Sequence, residues 1–189
     1  MSAPTSVDLT GTWDIDPAHT RLGFAARHAM VATVRGGFDV FSGNIVIDHK
    51  NPSASSAEVE INAASISTGN EQRDGHLTSA DFLDVEQYPT ITFRSTSAEE
   101  VDPDTYKMIG DLTIKGQSHP VTLELDFQGT GGDPFGNTRA GFEGRTTINR
   151  KDWGLSWNVA IEGGGILVGE KVKLELDVSA IKHADTPAE

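Results

Sequence analysis

The sequence predicts an all-β chain, a sandwich or barrel of at least eight strands. Three observations carry this. Apolar residues recur with a period of two rather than 3.6. Clusters of Gly, Pro, Asp and Asn separate the runs at short spacing. Strand–helix–strand alternation is absent.

The clearest strands are Val121/Leu123/Leu125/Phe127 and Val172/Leu174/Leu176/Val178, each alternating with polar residues. Such alternation buries one face and wets the other. Val59/Ile61/Ala63 and Ile91/Phe93 repeat the pattern, and Leu22, Phe24, Ala26 and His28 share a face. The stretch from Val34 to Asp48 is long for one strand. Its parity shifts between Phe38/Val40 and Phe41/Ile45/Ile47, which predicts a bulge or bend. Met108–Lys115 and Arg139–Asn149 complete the set, and Asn51-Pro52-Ser53, Asp102-Pro103-Asp104, Lys115-Gly116-Gln117 and residues 129–136 supply turns. One or two short helices are expected. Thr68 with Glu71 fits a capping box for a helix over 70–77, and a second turn is expected at 151–155.

Length and composition bound the function. The chain has 189 residues and reads as one domain over 11–182, with disordered tails at 1–10 and 183–189. Counting Gly and leaving out Tyr, about 47% of residues are apolar, which is ordinary for a globular domain and excludes whole-chain disorder. The net charge of −13 argues against nucleic acid as a partner. The absence of Cys removes disulfides, thiolate metal sites and Cys nucleophiles. No run is apolar enough to span a membrane as a helix, so membrane insertion is not expected. The first twelve residues show neither a basic n-region nor an apolar h-region, so a cytoplasmic location is the expectation.

Enzyme motifs are scarce. No nucleophile elbow, P-loop or dinucleotide fingerprint sits between a strand and a helix, and the six His show no metal-ligand spacing. No catalytic residue, metal or cofactor is expected. His49, His119 and His183 read as surface residues. His28 shares the Phe24 face, so it is either a hydrogen-bonded rim residue or a polar anchor for a head group. Arg73 either ties its segment to the sheet with Asp81 or holds an anionic head, and Arg150, beside Trp153-Gly154, either marks a barrel corner or holds such a head, for which Arg is suited. Aromatics recur on nearly every strand. A closed sheet of about eight strands either fills with side chains or holds one small ligand, and the residues alone leave that tie open.

The motifs then resemble a known pattern. Trp13-Asp14-Ile15-Asp16 with His19, Phe24 and His28 is similar to the opening of the YceI-like proteins. So are Arg73-Asp74-Gly75-His76-Leu77, Ser79-Ala80-Asp81-Phe82-Leu83-Asp84, and the run Tyr88-Pro89-Thr90-Ile91-Thr92-Phe93-Arg94-Ser95. Leu112-Thr113-Ile114-Lys115-Gly116 and Asn149-Arg150-Lys151-Asp152-Trp153-Gly154 extend the match. The resemblance covers roughly 11–181. It implies an extended eight-stranded antiparallel barrel, lipocalin-like, with a long apolar pore. It also implies non-enzymatic binding, storage or transport of a polyisoprenoid or isoprenoid-quinone-like lipid, and brings in a homodimer as an assembly to expect. Family members are often periplasmic.

On that reading the pore is lined by Phe24, Met30, Phe38, Phe41, Ile66, Phe82, Phe93, Leu112, Ile114 and Trp157. His28, Arg73, His76 and Arg150 stand near its polar ends. Two other functions compete. One is a barrel isomerase or hydrolase using His28 or His76 with Asp81, which requires a carboxylate within hydrogen-bond reach of a His facing the pore. The other is a stress-response interaction module with a packed barrel, which requires an exposed apolar patch or seam.

Overall fold

The computed structural model describes residues 7–162 and 164–184. Its strands are β1 (Gly11–Ile15), β2 (Arg21–His28), β3 (Ala32–Phe38), β4 (Phe41–Ile47), β5 (Ser56–Asn62) and β6 (Ile66–Ser67), then β7 (Thr90–Asp102), β8 (Thr105–Ile114), β9 (Gln117–Gly132), β10 (Thr138–Asn149) and β11 (Val168–Lys182). One α-helix, α1 (Glu71–Thr78), stands between β6 and β7.

Eight strands close a ring in the order β1-β4-β5-β7-β8-β9-β10-β11, with β11 pairing back to β1. The choice between sandwich and barrel therefore falls to the barrel, and the pairings are antiparallel throughout. Strands β2, β3 and β6 branch from β11 and continue β1, β4 and β5 along the axis. Ile15 faces Ala180 and Arg21 faces Asp177, so β1 and β2 lie end to end along β11.

The breaks have local causes. Between β1 and β2, residues 16–20 oppose only Val178 and Ser179, so the excess loops out around Pro17, which has no N–H to give the ladder. Thr20 Oγ1 accepts from Ser179 N at 3.0 Å and donates to Ser179 O at 3.1 Å, standing in for a backbone partner. Arg139 bridges the loop to the β9–β10 hairpin through Asp16 (2.7 Å) and Asp133 (2.8 Å). Between β3 and β4 the break falls at Asp39–Val40, where the parity shift predicted it. Ser65 seals it: its hydroxyl accepts from Val40 N at 3.1 Å and its carbonyl from Asp39 N at 3.2 Å.

Four expectations change. The N-cap of α1 is Asn70, whose side chain accepts from Arg73 N at 2.9 Å, rather than Thr68. Thr68 instead donates from N and Oγ1 to Asp74, because Gly69 turns the chain with a left-handed φ of 79°. The expected second turn is a 3-10 helix over Arg150–Trp153. The N-terminal tail is also shorter than 1–10: Leu9 is buried and accepts from Trp13 Nε1 at 2.9 Å. At the other end His183 N donates to Thr12 O at 2.9 Å, so the domain extends past 182. Residues 1–6 and 185–189 of the expected tails lie outside the described residues.

Candidate functional site

Alternation places Leu22, Phe24 and Ala26 of β2 opposite Leu176, Leu174 and Val172 of β11, all facing inward. Inward residues of this kind enclose two apolar chambers. The larger, about 240 Å³, lies toward α1 and is walled by residues such as Ile61, Leu112, Val121 and Leu174. The smaller, about 120 Å³, lies between Leu9, Met108 and Phe142 at the opposite end. Leu22, Val59, Phe93, Leu123 and Leu176 belong to both walls and form a waist between them.

Glycines keep the lumen open. The Phe24 ring lies over Gly36, where a Cβ would come 2.6 Å from Phe24 Cζ. The Phe93 ring lies over Gly110 in the same way, and a Cβ there would also come 2.6 Å from the Arg94 carbonyl oxygen. Both aromatics therefore lie along the wall instead of crossing the channel.

Among the described residues, Arg150 is the one charged side chain in the wall of the larger chamber, and it is 3% exposed. Its donors meet backbone carbonyls: Nε to Gly169 at 2.9 Å, Nη1 to Leu155 at 2.5 Å and Trp157 at 3.0 Å, Nη2 to Val168 at 3.2 Å. Burial lowers its pKa from the ordinary guanidinium value, and the nearby Glu170 opposes that. The guanidinium remains a cation. Four of its five N–H groups are spent holding the 155–169 segment against the barrel.

At the same end, His76, Phe82 and Trp157 form an aromatic cluster. The His76 ring meets Phe82 edge-on at 5.0 Å and Trp157 at 4.5 Å. His76 Nε2 lies 2.9 Å from Asp81 Oδ2, both half-exposed at the rim. At the far end, Asp48, His49, Ser55 and Tyr106 border the smaller chamber. Asp48 is engaged by the N–H groups of Lys50 and Asn51, while burial, with Glu100 and Asp104 behind it, pushes the Tyr106 phenol up.

Of the expected pore residues, Phe24, Phe38, Ile66, Phe82, Phe93, Leu112, Ile114 and Arg150 line the larger chamber. The other six sit elsewhere. His28 ends β2 and is exposed at the rim, where strand parity no longer implies burial. Met30 is 55% exposed in the β2–β3 turn. Phe41 follows the strand break and packs with Ile15 and Leu22 as core. Arg73 is spent on Thr68, with Nε to Oγ1 at 2.7 Å and Nη2 to the carbonyl at 2.9 Å. His76 and Trp157 back the wall through Phe82. His49, expected on the surface, borders the smaller chamber.

Most of the wall is aliphatic: Val59, Leu77, Leu83, Val121, Leu123 and Ile148 line the chamber and were passed over in favour of aromatics. Alternation along the strands signals Val59, Val121, Leu123 and Ile148, whereas Leu77 on α1 and Leu83 in the turn after it carry no such signal.

The fold and its cavity define a class: a closed antiparallel barrel with an apolar lumen broad enough for a small ligand. The YceI-like domain profile matches residues 13–180, and the chain belongs to that family. A UPF0312 protein of Pseudomonas aeruginosa is 37% identical over 183 residues, covering 97% of this chain and 89% of its own length. The crystal structure of Burkholderia cenocepacia BcnA superposes with a TM-score of 0.77 at 22% identity, over 87% of this chain and 98% of BcnA. A polyisoprenoid-binding domain from Saccharophagus degradans superposes with a TM-score of 0.67 at 15% identity, over 90% and 98%.

Proposed function

We propose that the chain is a non-enzymatic carrier or store for a long-chain amphiphile of the polyisoprenoid or isoprenoid-quinone type. The apolar tail occupies the larger chamber and reaches through the waist toward the smaller one. The observation that carries this reading is the lumen itself. An apolar chamber of about 240 Å³ is far larger than the water-sized voids that a close-packed core leaves. A larger side chain at Ala26, which lines this chamber and not the smaller one, would narrow it. A wall this apolar offers about 0.8 kcal/mol per buried CH₂, so about ten methylenes offset several kcal/mol of association cost. The polyisoprenoid-binding domain of the same fold supports the assignment of ligand class.

The test is solvent extraction of the purified protein followed by mass spectrometry. The expected result is a long-chain isoprenoid or quinone in near-stoichiometric amount. A protein carrying no amphiphile, and binding none of those supplied in detergent, would overturn the reading.

One observation favours a second reading. The His76–Asp81 pair supplies the carboxylate contact that a barrel isomerase or hydrolase requires. Both partners sit at the rim behind Phe82 and outside the chamber wall, so a base there faces solvent more than tail. His76→Ala separates the two readings. A carrier keeps its extractable lipid, whereas an enzyme accumulates unconverted substrate in place of product.

A further inference from the structure

The β2–β3 hairpin carries an unusual tip. Ala29 and Met30 both have left-handed φ, 49° and 65°, and Val31 N donates back to His28 O at 3.2 Å. The connection from His28 to its partner Ala32 is three residues long, and its first two positions take the positive φ that ordinarily favours Asn or Gly, because L side chains pay for it. Here the strained positions display Met30, 55% exposed, beside Val31, 81% exposed. A third apolar side chain joins them: Ala29 N donates to Leu167 O and Leu167 N to Val159 O, which brings in Val159, 47% exposed. The tip stands at the Arg150 end of the larger chamber, since Val168, the next residue after Leu167, lines that chamber and pairs with His28.

Charge around the tip runs against the chain as a whole. Inward Phe24, Ala26 and Val172 leave Arg27, Arg35, Lys171 and Lys173 on the outer face of the β11-β2-β3 sheet below the tip. Glu175, 3.4 Å from Arg35, and Asp177, opposite Arg21 farther along β11, are acids on the same face. On the opposite outer face, β5, β7 and β8 present Glu58, Glu60, Glu99 and Asp111 against Arg94 and Lys107. The net charge of −13 is thus unevenly spread, with Arg27, Arg35, Lys171 and Lys173 grouped beside an exposed apolar tip. Nearby acids are Glu162 on the adjoining loop and Glu170, which Lys151 holds at 2.6 Å.

We propose that this tip is a docking surface for an anionic lipid bilayer, which sets the Arg150 end of the chamber against the membrane. Apolar side chains flanked by cations match the boundary of an anionic leaflet, where the side chains enter the headgroup region and Lys and Arg meet lipid phosphate. Placing a strained turn under Met30 and Val31 fits a surface kept for contact rather than for stability.

Vesicle co-sedimentation tests it, using unilamellar vesicles of phosphatidylglycerol and phosphatidylcholine in equal parts against pure phosphatidylcholine. The expected result is binding to the anionic vesicles only, lost at high salt. Met30→Ser with Val31→Ser weakens it severalfold. Lys171→Gln with Lys173→Gln weakens it about 25-fold, at roughly fivefold per cation. Ala29→Asn with Met30→Gly relaxes the turn, so it lowers binding while Tm holds or rises, which separates docking from folding. Phe135→Ser, at an 86% exposed position on the far hairpin, leaves binding unchanged.

The proposal falls if the protein ignores anionic vesicles, binds neutral ones equally, or keeps full binding in the tip variants. It falls too if Met30→Ser with Val31→Ser instead dissociates a dimer in sedimentation velocity. The assay reads the surface alone, so its failure leaves the chamber reading standing, and a protein without extractable lipid does the reverse.

Discussion

Arg150 is a buried cation whose described partners are backbone carbonyls rather than a carboxylate. Neutralising it would take a donor from four carbonyls at once, of which Val168 O keeps Asn158 Nδ2 at 2.8 Å, while sparing the cost of burying charge. Each unpaired buried group costs about 1–3 kcal/mol, so Arg150→Met is expected to lose at least about 3 kcal/mol in urea denaturation. A loss under about 1 kcal/mol would mean that water replaces the guanidinium with ease. Gly110 makes the converse case. Gly110→Ala drives a methyl into the Phe93 ring and the Arg94 carbonyl, and is expected to cost about 1–3 kcal/mol by the same measurement. The sequence marks Arg150 as unusual because it closes a strand beside Trp153. It does not reveal the partners, which are supplied by a loop whose path no local period encodes. Gly110 is silent for a related reason: its need for space arises from an aromatic on the neighbouring strand.

At the scale of elements, the broken strands depend on small polar clusters. Asp16 accepts from Arg139 and His19, and the Arg139 bond chiefly holds its carboxyl down at about 2. Asp133 is lowered further, mainly by Asn137 with Arg139 adding to it. A carboxylate with a depressed folded pKa stabilises the protein above its unfolded value and loses that contribution as pH falls toward the folded one. Stability is therefore expected to drop between about pH 4 and about pH 2. Arg139→Met should flatten that part of the Tm–pH curve and lower the plateau above it; an unchanged slope would show that the cluster does not couple to folding. On α1, Asn70→Ala removes the cap to Arg73 N and is expected to cost about 1 kcal/mol in thermal unfolding, whereas Thr68→Ala disturbs Asp74 and Arg73 instead. The break at Asp39–Val40 was legible because side-chain parity reverses there. The break at 16–20 was not, because no alternation marks β1 as a strand, and it is the pairing with β11 that sets β1 and β2 end to end.

The whole molecule is a barrel that gives up part of its core. The strand count and closure were legible from alternation together with the family motifs, since period two survives any register. Whether the interior packs solid was not, because the same Phe and Leu residues build a filled core or a lined channel. The difference lies in how Phe24 and Phe93 lean on glycines of neighbouring strands. That arrangement makes the waist the natural limit on ligand length. Leu22, Val59, Phe93, Leu123 and Leu176 meet there, and a chain longer than the larger chamber must pass between them. Val59→Phe adds bulk at the waist while both chambers keep most of their walls. Overpacking of this kind costs about 1–3 kcal/mol, which leaves the fold intact. The variant is expected to co-purify with shorter chains, or to exchange long ones for short ones when offered both in detergent, as read by mass spectrometry of the extract. Chamber volume sets affinity through the methylenes it buries, so the long-chain ligand should lose more affinity than the short one. If the variant keeps the wild-type ligand length, the tail does not thread the waist and must lie wholly on the α1 side.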